Sequence, residues 1–256
     1  MRYLLTLLFA ALSFNAVGQV PNYVPADGLV AWFPFNGNAN DESVNNLNGS
    51  VTGATLTTDR FGTTNSCYNF DYTNWSWGTG GDAIYIPYNP ILNSSNITVS
   101  VWARRLSAGD SSQYQAIIKR FQFGYSNPNG QTWIIETGPS PNYLITSGVI
   151  QAAPDNNQEE IFNTGPNLTV NDWFHIVLTF DGITANTYIN GLLFESQPAN
   201  GLALNTDGNS GISIGVSYQA NGNWWPFDGD IDDIGIWSRA LTDDEVSSLF
   251  VALLAG

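Results

Sequence analysis

Three aspartates in residues 227–237 are the side chains whose type and spacing are best suited to chemistry. Asp230, Asp232 and Asp233 interrupt an alternating apolar run that predicts a half-buried strand. Strict alternation places Asp230 and Asp232 on the same face as Ile234, a predicted core residue. Burying a carboxylate is costly unless it is paired, hydrogen-bonded or bound to a metal ion. The segment therefore predicts a compensating partner for these acids.

An oxygen-rich loop at residues 36–43 could supply the other half of a metal site. Ca²⁺ binds carboxylate, amide and backbone oxygens held by loops, and Asn36 and Asp41 are the candidate side-chain ligands in this loop. In many β-sandwiches the first and last strands are neighbours. Asp230 or Asp232 could therefore complete the coordination shell of the ion. Alternatively, Asp41 caps a turn and Asp232 accepts backbone hydrogen bonds. We expect one structural Ca²⁺, with these four residues as its ligands.

Tryptophans in two glycine- and asparagine-rich loops could bind a sugar. Aromatic rings stack on the apolar faces of sugars, while neighbouring polar side chains bond the hydroxyl groups. The alternative is that these amphipathic rings only cover a sheet edge. The expected ligand-binding residues are Trp75, Trp77, Trp224, Trp225, Tyr72 and Asn223. The tryptophans that fall in predicted strands, and are assigned to the core, are Trp32, Trp102, Trp173 and Trp237.

The sequence contains no recognisable catalytic set. Hydrolysis of a glycosidic bond requires two carboxylates that face each other across it, and the glutamates form no such alternating pair. The only histidine, His175, lies in a predicted core strand, and the chain has no Gln-x-His lyase strand. The string Gly211-Ile-Ser-Ile-Gly215 matches Gly-x-Ser-x-Gly, but it lies in a predicted strand with no helix directly after it, unlike a nucleophile elbow. We therefore predict a non-catalytic protein with no catalytic residue. A divergent polysaccharide-degrading enzyme is the least favoured class.

The charge balance argues against a nucleic-acid partner. The 256 residues carry a net charge of −15 with only seven lysines and arginines, too few to neutralise phosphates. The pairs Arg104–Arg105 and Lys119–Arg120 are interpreted as isolated solvated edges. The single cysteine, Cys67, reads as a small core residue and permits no intramolecular disulfide. Since the chain has no disulfide, a bound metal ion is favoured as its stabilising element.

The N-terminal residues have the pattern of an export signal. A basic start and a short apolar run precede the small-x-small site Ala16-Val17-Gly18. The run is short for a membrane span, and no later stretch is long and apolar enough to be one. We expect a signal peptide at 1–18, a lead-in at 19–26 and one domain at 27–256. The expected location is extracellular or on the cell surface, with the periplasm as an alternative.

Many short alternating runs joined by glycine and asparagine turns predict an all-β sandwich or barrel. The clearest strand lies at 96–104, and residues 172–191 predict a hairpin that turns at Asp181-Gly182. The polar stretch 151–168 reads as a long loop. The only predicted helix begins at Thr242-Asp-Asp-Glu245, a capping box.

Five stretches, at 28–43, 96–103, 172–182, 188–191 and 227–241, together resemble the laminin-G-like, concanavalin A-like jelly-roll domains of secreted bacterial proteins. The resemblance implies a two-sheet antiparallel β-sandwich with one short C-terminal helix. Residues 70–82 depart from the family pattern, because they form a longer loop that carries two tryptophans. Members of this family bind carbohydrate, mediate adhesion or form calcium-dependent scaffolds, so fold does not decide function.

Our leading expectation is a secreted, calcium-stabilised, lectin-like module that binds a glycan. The alternative is a cell-surface or matrix adhesion module whose partner is a protein. A glycan site should bring the loop tryptophans side by side in a concave groove, whereas an adhesion surface should be flatter.

Overall fold

The computed structural model describes residues 20–74, 81–107, 114–121, 131–138, 143–152, 158–204, 209–218 and 224–254. These residues form two main antiparallel sheets and a C-terminal helix, which confirms the predicted β-sandwich. The predicted signal peptide at 1–18 lies outside the described residues. No helix in the described ranges has the length and apolarity needed to cross a bilayer.

The first sheet joins strands from both ends of the chain. Its order is β13-β12-β11-β6-β17-β4-β3, and β1 pairs with β17, as expected if the first and last strands are neighbours. Its members are β1 (Leu29–Phe33), β3 (Thr55–Thr57), β4 (Cys67–Phe70), β6 (Ile97–Arg105), β11 (Trp173–Phe180), β12 (Thr184–Ile189), β13 (Leu192–Pro198) and β17 (Gly229–Trp237).

The second sheet packs against the first and has the order β10-β9-β8-β7-β14-β5-β2. Its members are β2 (Ser50–Thr52), β5 (Ala83–Ile86), β7 (Gln115–Phe121), β8 (Gln131–Thr137), β9 (Tyr143–Ala152), β10 (Gln158–Asn167) and β14 (Ile212–Ile214). A separate hairpin of β15 (Val216–Tyr218) and β16 (Trp224–Pro226) follows β14. The chain then runs through β17 into helix α1 (Asp243–Leu254).

Two apolar clusters hold these layers together. The larger lies between the sheets, where the inward-facing side chains of β6, including Val99 and Val101, are fully buried. The smaller lies on the outer face of the first sheet, where α1 covers Trp32, Trp102 and Trp237. The predicted core positions of these tryptophans are confirmed, and Trp173 packs half-buried against the same cluster.

Two local predictions were wrong. Residues 151–168 were expected to form a loop, but β9 continues to Ala152 and most of the stretch is β10. Because β10 is the last strand of its sheet, it can pair with β9 through its backbone although most of its residues are polar. Helical turns also occur before Thr242, since short 3₁₀ segments lie at Tyr72–Asn74 and Pro90–Leu92.

Candidate functional site

The acidic strand β17 contains a bulge that changes which face its aspartates occupy. Asp233 has a positive φ of 41°, and the pairing of β17 with β6 shifts register between Asp232 and Gly235. One extra residue reverses the alternation, so Ile231 and Ile234 both enter the core between the sheets. The prediction that Asp232 shares a face with Ile234 was therefore wrong.

Asp230 and Asp232 instead lie on the outer face of the first sheet. They pair in register with Arg104 and Trp102 of β6. Asp230 Oδ2 accepts hydrogen bonds from Arg104 Nε at 2.9 Å and Nη2 at 2.5 Å, and its Oδ1 accepts one from Asn69 Nδ2 at 2.9 Å. A nearly buried carboxylate is thus compensated by an arginine on the adjacent strand.

Arg60 is the partner of the other two acids. Its Nη1 donates to Asp232 Oδ2 at 2.8 Å, and its Nη2 donates to Asp233 Oδ2 at 2.6 Å. The same guanidinium donates to the carbonyl of Leu253 in the last turn of α1 and lies 4.5 Å from the Trp102 ring centroid. Sequence reasoning did not single out Arg60, since nothing in its local pattern points to β17.

Burial and neighbouring charges shift the pKa values of the acids around Arg60. Burial raises the pKa of Asp232 well above its usual range; Asp233 raises it further, and Arg60 lowers it. The pKa of Asp233 is also raised by burial and lowered by Arg60. Burial, followed by the charge of Asp233, raises the pKa of Tyr23 to about 12. One arginine therefore does not fully offset the cost of burying these carboxylates.

Asp41 takes the turn-capping role that the sequence left open as an alternative. Its Oδ1 accepts hydrogen bonds from the backbone N–H groups of Trp32 and Ser43 at 2.9 and 2.8 Å. Its Oδ2 accepts from Ser43 Oγ and from the Leu47 N–H, both at 2.8 Å. Each oxygen of this buried carboxylate thus has two protein donors, which hold the 36–43 loop against β1.

The four proposed calcium ligands do not converge on one point. Asn36 and Asp232 line a cavity of about 240 Å³, whereas Asp41 and Asp230 are not among its lining residues. Within the described ranges, no group of three or more histidine, cysteine, aspartate or glutamate side chains is arranged to hold a metal ion. A structural Ca²⁺ stays a prediction, and an ion at Asp230 or Asp232 would compete with the arginine partners.

The predicted sugar-binding residues fall partly outside the described ranges. Trp75, Trp77 and Asn223 lie in segments that the structure does not describe. Trp224 begins β16, where it pairs with Tyr218, and the half-exposed Tyr72 lies in a 3₁₀ turn. Of this set, Trp225 makes an aromatic contact within the described residues.

Trp225 and Tyr114 form an aromatic pair beside β7. Their ring centroids are 4.7 Å apart, with an angle of 35° between the ring planes. Trp225 is the register partner of Ser217 in the β15–β16 hairpin. The Ser217 hydroxyl is hydrogen-bonded to the Lys119 amine, which ties the hairpin to the second sheet. An aromatic surface and a polar anchor therefore lie next to each other.

Lys119 belongs to a polar row on the outer face of the second sheet. In register it is flanked by Ser213, which is flanked in turn by Tyr85. Tyr85 is 49% exposed, whereas Lys119 is only 3% exposed. Burial lowers the pKa of the Lys119 amine to about 8, and the nearby charge of Glu136 opposes this shift. A polar row that begins at an exposed aromatic ring can present both stacking and hydrogen-bonding groups to a ligand.

The interpretation of both basic pairs as solvated edges was wrong. Arg105 and Arg120 are 1% and 2% exposed, and Arg120 donates to the carbonyl of Ser210 at 3.2 Å. Arg104 and Lys119 have the partners described above. The sequence did contain a signal for this burial, because each pair lies within an alternating strand and not in a loop.

The Laminin_G_3 family model, described as the concanavalin A-like lectin/glucanases superfamily, matches residues 78–247. A comparison with curated protein sequences finds no match. Among solved structures, the binding domain of Paraclostridial Mosquitocidal Protein 1 is similar, with 22% identity and a TM-score of 0.66 over 89% of this chain and 53% of that one.

Two further structures share the fold. Domain 4 of AbnA, a GH43 extracellular arabinanase from Geobacillus stearothermophilus solved with arabinotriose, has 21% identity and a TM-score of 0.57 over 86% of this chain and 97% of that one. The binding domain of botulinum neurotoxin DC, solved with rat synaptotagmin II, has 17% identity and a TM-score of 0.61 over 89% and 52%. This chain spans about half the length of the mosquitocidal-protein and neurotoxin binding domains. Because the family model covers most of the chain, this protein belongs to the concanavalin A-like lectin/glucanases superfamily.

Proposed function

We propose that this protein is a secreted, non-catalytic recognition module that binds carbohydrate on the outer face of its second sheet, beside Trp225. The observation that carries the proposal is the Trp225–Tyr114 aromatic pair next to the Lys119–Ser217 hydrogen bond. Sugar sites combine an aromatic stacking surface with a few fixed polar groups. This part of the fold has the aromatic pair, and the half-buried Ser213 hydroxyl lies beside the buried Lys119–Ser217 bond as the polar group that a sugar can reach.

The row from Tyr85 to Lys119 extends this surface across the sheet. Tyr85 exposes about half of its side chain, and the Ser213 hydroxyl lies between it and Lys119 in register. Lys119 is too buried to be a flexible surface charge, and its bond to Ser217 holds the β15–β16 hairpin in position. We therefore assign Lys119 a positioning role and give the exposed Tyr85 and the half-buried Trp225 the contact with sugar.

The similar structures support a binding module. Two are binding domains of toxins, and one is a domain of an arabinanase that was solved with arabinotriose. At 17–22% identity these likenesses concern the fold. The choice of a glycan as the ligand therefore rests on the aromatic and hydroxyl groups of this chain.

The position of the histidine supports a non-catalytic role. His175 is fully buried on the outer face of the first sheet, where its Nε2 lies 2.8 Å from Ser100 Oγ and its ring stacks on Trp102 and Phe250. Burial, followed by the charge of Arg60, lowers the pKa of His175 to about 3. A neutral, inaccessible imidazole cannot serve as an acid–base catalyst for an external substrate.

The test is a glycan panel of neutral and acidic oligosaccharides, followed by tryptophan fluorescence and isothermal titration calorimetry. A binder from the panel should lose about tenfold in affinity in Trp225→Ala and in Tyr85→Ala, because the loss of one stacking ring costs about 1.4 kcal/mol of binding free energy. Phe61→Ala is the matched control, because Phe61 is a similarly exposed aromatic residue, at 44%, but lies in the loop after β3 of the first sheet. No binding to any glycan of the panel, or binding by Trp225→Ala as tight as that of the wild type, would contradict the proposal.

A further inference from the structure

The terminal strand of the first sheet begins with three exposed apolar residues. Leu192, Leu193 and Phe194 are 73%, 50% and 51% exposed at the start of β13. Among the described residues, β13 pairs with β12 alone, so its other edge presents unpaired backbone groups. Exposed edges of this kind are normally protected, because they can pair with another chain.

The beginning of β13 is protected only in part, since a bulge in its pairing with β12 leaves Phe194 as the extra residue, but its first three side chains are apolar. The charged residue of the strand, Glu195, points its carboxylate back into the molecule: Oε2 accepts from the Thr164 N–H at 2.6 Å, and Oε1 accepts from Gln197 Nε2 at 2.9 Å. Proline appears only at Pro198, the end of the strand. The edge at 192–194 therefore carries neither a charge nor a proline.

Helix α1 enlarges the exposed apolar area. A methyl group added at Gly191, the residue before β13, would lie 2.8 Å from the Phe250 ring, so the helix adjoins the start of the strand. In the following turn of the helix, Val251 and Leu254 are 61% and 52% exposed. Exposed apolar residues on two adjoining elements are a candidate interaction surface. We call Leu192, Leu193, Phe194, Val251 and Leu254 the apolar edge.

We propose that the apolar edge binds a second copy of this chain, whose own β13 pairs antiparallel with it across a twofold axis. Such an axis through Leu193 places Leu192 of each copy beside Phe194 of the other, so one patch is complementary to itself. The edge is uncharged in a chain of net charge −15, so two copies repel each other least when they meet here.

The available area is consistent with a weak to moderate dimer. Five half-exposed side chains of this size bury on the order of 400 Å² per copy, and the paired backbone edge adds to this; a standard interface buries roughly 800 Å² per partner. Because the rest of the surface is acidic, the association should strengthen with added salt, which screens the repulsion between the copies.

The test is sedimentation velocity of the protein over a range of concentrations, at low and at moderate salt. We expect a concentration-dependent dimer whose dissociation constant rises at least about tenfold in Leu192→Glu and in Phe194→Glu, since each places a charge in the interface. Val44→Glu is the control, because Val44 is 91% exposed and lies outside the apolar edge, and it should dimerise like the wild type.

Two results would overturn the inference. One is a wild-type protein that stays monomeric up to about 1 mM, a concentration that detects associations as weak as about −4 kcal/mol. The other is a dimer that persists unchanged in Leu192→Glu and Phe194→Glu. Circular dichroism of each variant confirms that it is folded. The Trp225→Ala variant should keep the dimer, which separates this inference from the carbohydrate site.

Discussion

Arg60 and Asp232 are 172 residues apart in the sequence, yet Arg60 Nη1 lies 2.8 Å from Asp232 Oδ2. Their side chains are only 7% and 3% exposed. Through the Leu253 carbonyl, Arg60 also bonds the last turn of α1, where cations interact favourably with the helix dipole. The pair thus connects the loop after β3, the strand β17 and the end of the helix.

Removing this arginine should destabilise the fold strongly. Arg60→Met leaves Asp232 and Asp233 buried without their cation, which we expect to lower the free energy of unfolding by about 3–5 kcal/mol in urea denaturation. Asp232→Asn combined with Arg60→Met should recover part of the loss. Asp27→Asn is the control, because Asp27 is an exposed acid that also faces an arginine, and it should have little effect. If Arg60→Met lowers the free energy of unfolding no more than this control does, Arg60 does not stabilise the buried carboxylates.

The buried histidine should make stability depend on pH. The unfolded chain protonates His175 near pH 6.5, whereas the folded protein resists protonation down to a pKa of about 3. The unfolded state therefore binds more protons than the folded state between these pH values. The stability that His175 contributes is full above pH 6.5 and falls as the pH drops towards 3.

Replacement of this histidine isolates its effect from those of the carboxylates. The raised pKa values of Asp232 and Asp233 act in the opposite direction, since they favour the folded state as the pH falls. The difference in unfolding free energy between the wild type and His175→Gln should change by up to about 1.4 kcal/mol per pH unit below pH 6.5. Parallel curves of unfolding free energy against pH would contradict this prediction.

The start of α1 should be weakened by loss of its capping box. The Thr242 N–H donates to Glu245 Oε2 at 2.9 Å, and the Glu245 N–H donates to Thr242 Oγ1 at 3.3 Å. The pKa of Glu245 is lowered to about 2, mainly by the hydrogen bond from Arg239. The stability that ionised Glu245 contributes is therefore present above pH 4.5 and is lost as the pH falls from 4.5 to 2.

We expect Thr242→Ala to cost about 1 kcal/mol in urea denaturation at neutral pH. Ser248→Ala is the control, because Ser248 is an exposed residue further along the same helix. Equal stability of the two variants would show that the cap contributes nothing measurable.

The calcium prediction can be tested without a crystal. If a structural ion binds as expected, added Ca²⁺ should raise the midpoint of thermal unfolding and a chelator should reverse the change. Asn36→Ala should reduce this response, and Asn36 is exposed, so its replacement should leave the apoprotein folded. A melting curve that neither Ca²⁺ nor chelator shifts would exclude the ion.

The sequence by itself determined the local features. Alternation in β6, the turn at Asp181-Gly182, the capping box of α1 and the core tryptophans all follow from periodicity or from residues close in the chain, and the structure confirms each of them. The sandwich architecture could also be predicted, because many short alternating strands have few other ways to bury their apolar faces.

The candidate sites were predicted less well, because they depend on sheet order and register. Trp225 stays a predicted ligand-binding residue, and its contact with Tyr114 and the anchoring of its hairpin by Lys119 join distant strands. The bulge at Asp233 turned Asp232 away from the core, and only the tertiary structure decided that Arg60 would meet it there. Periodicity specifies which residues share a face of one strand, whereas the partner across space is set by how the strands pair and pack.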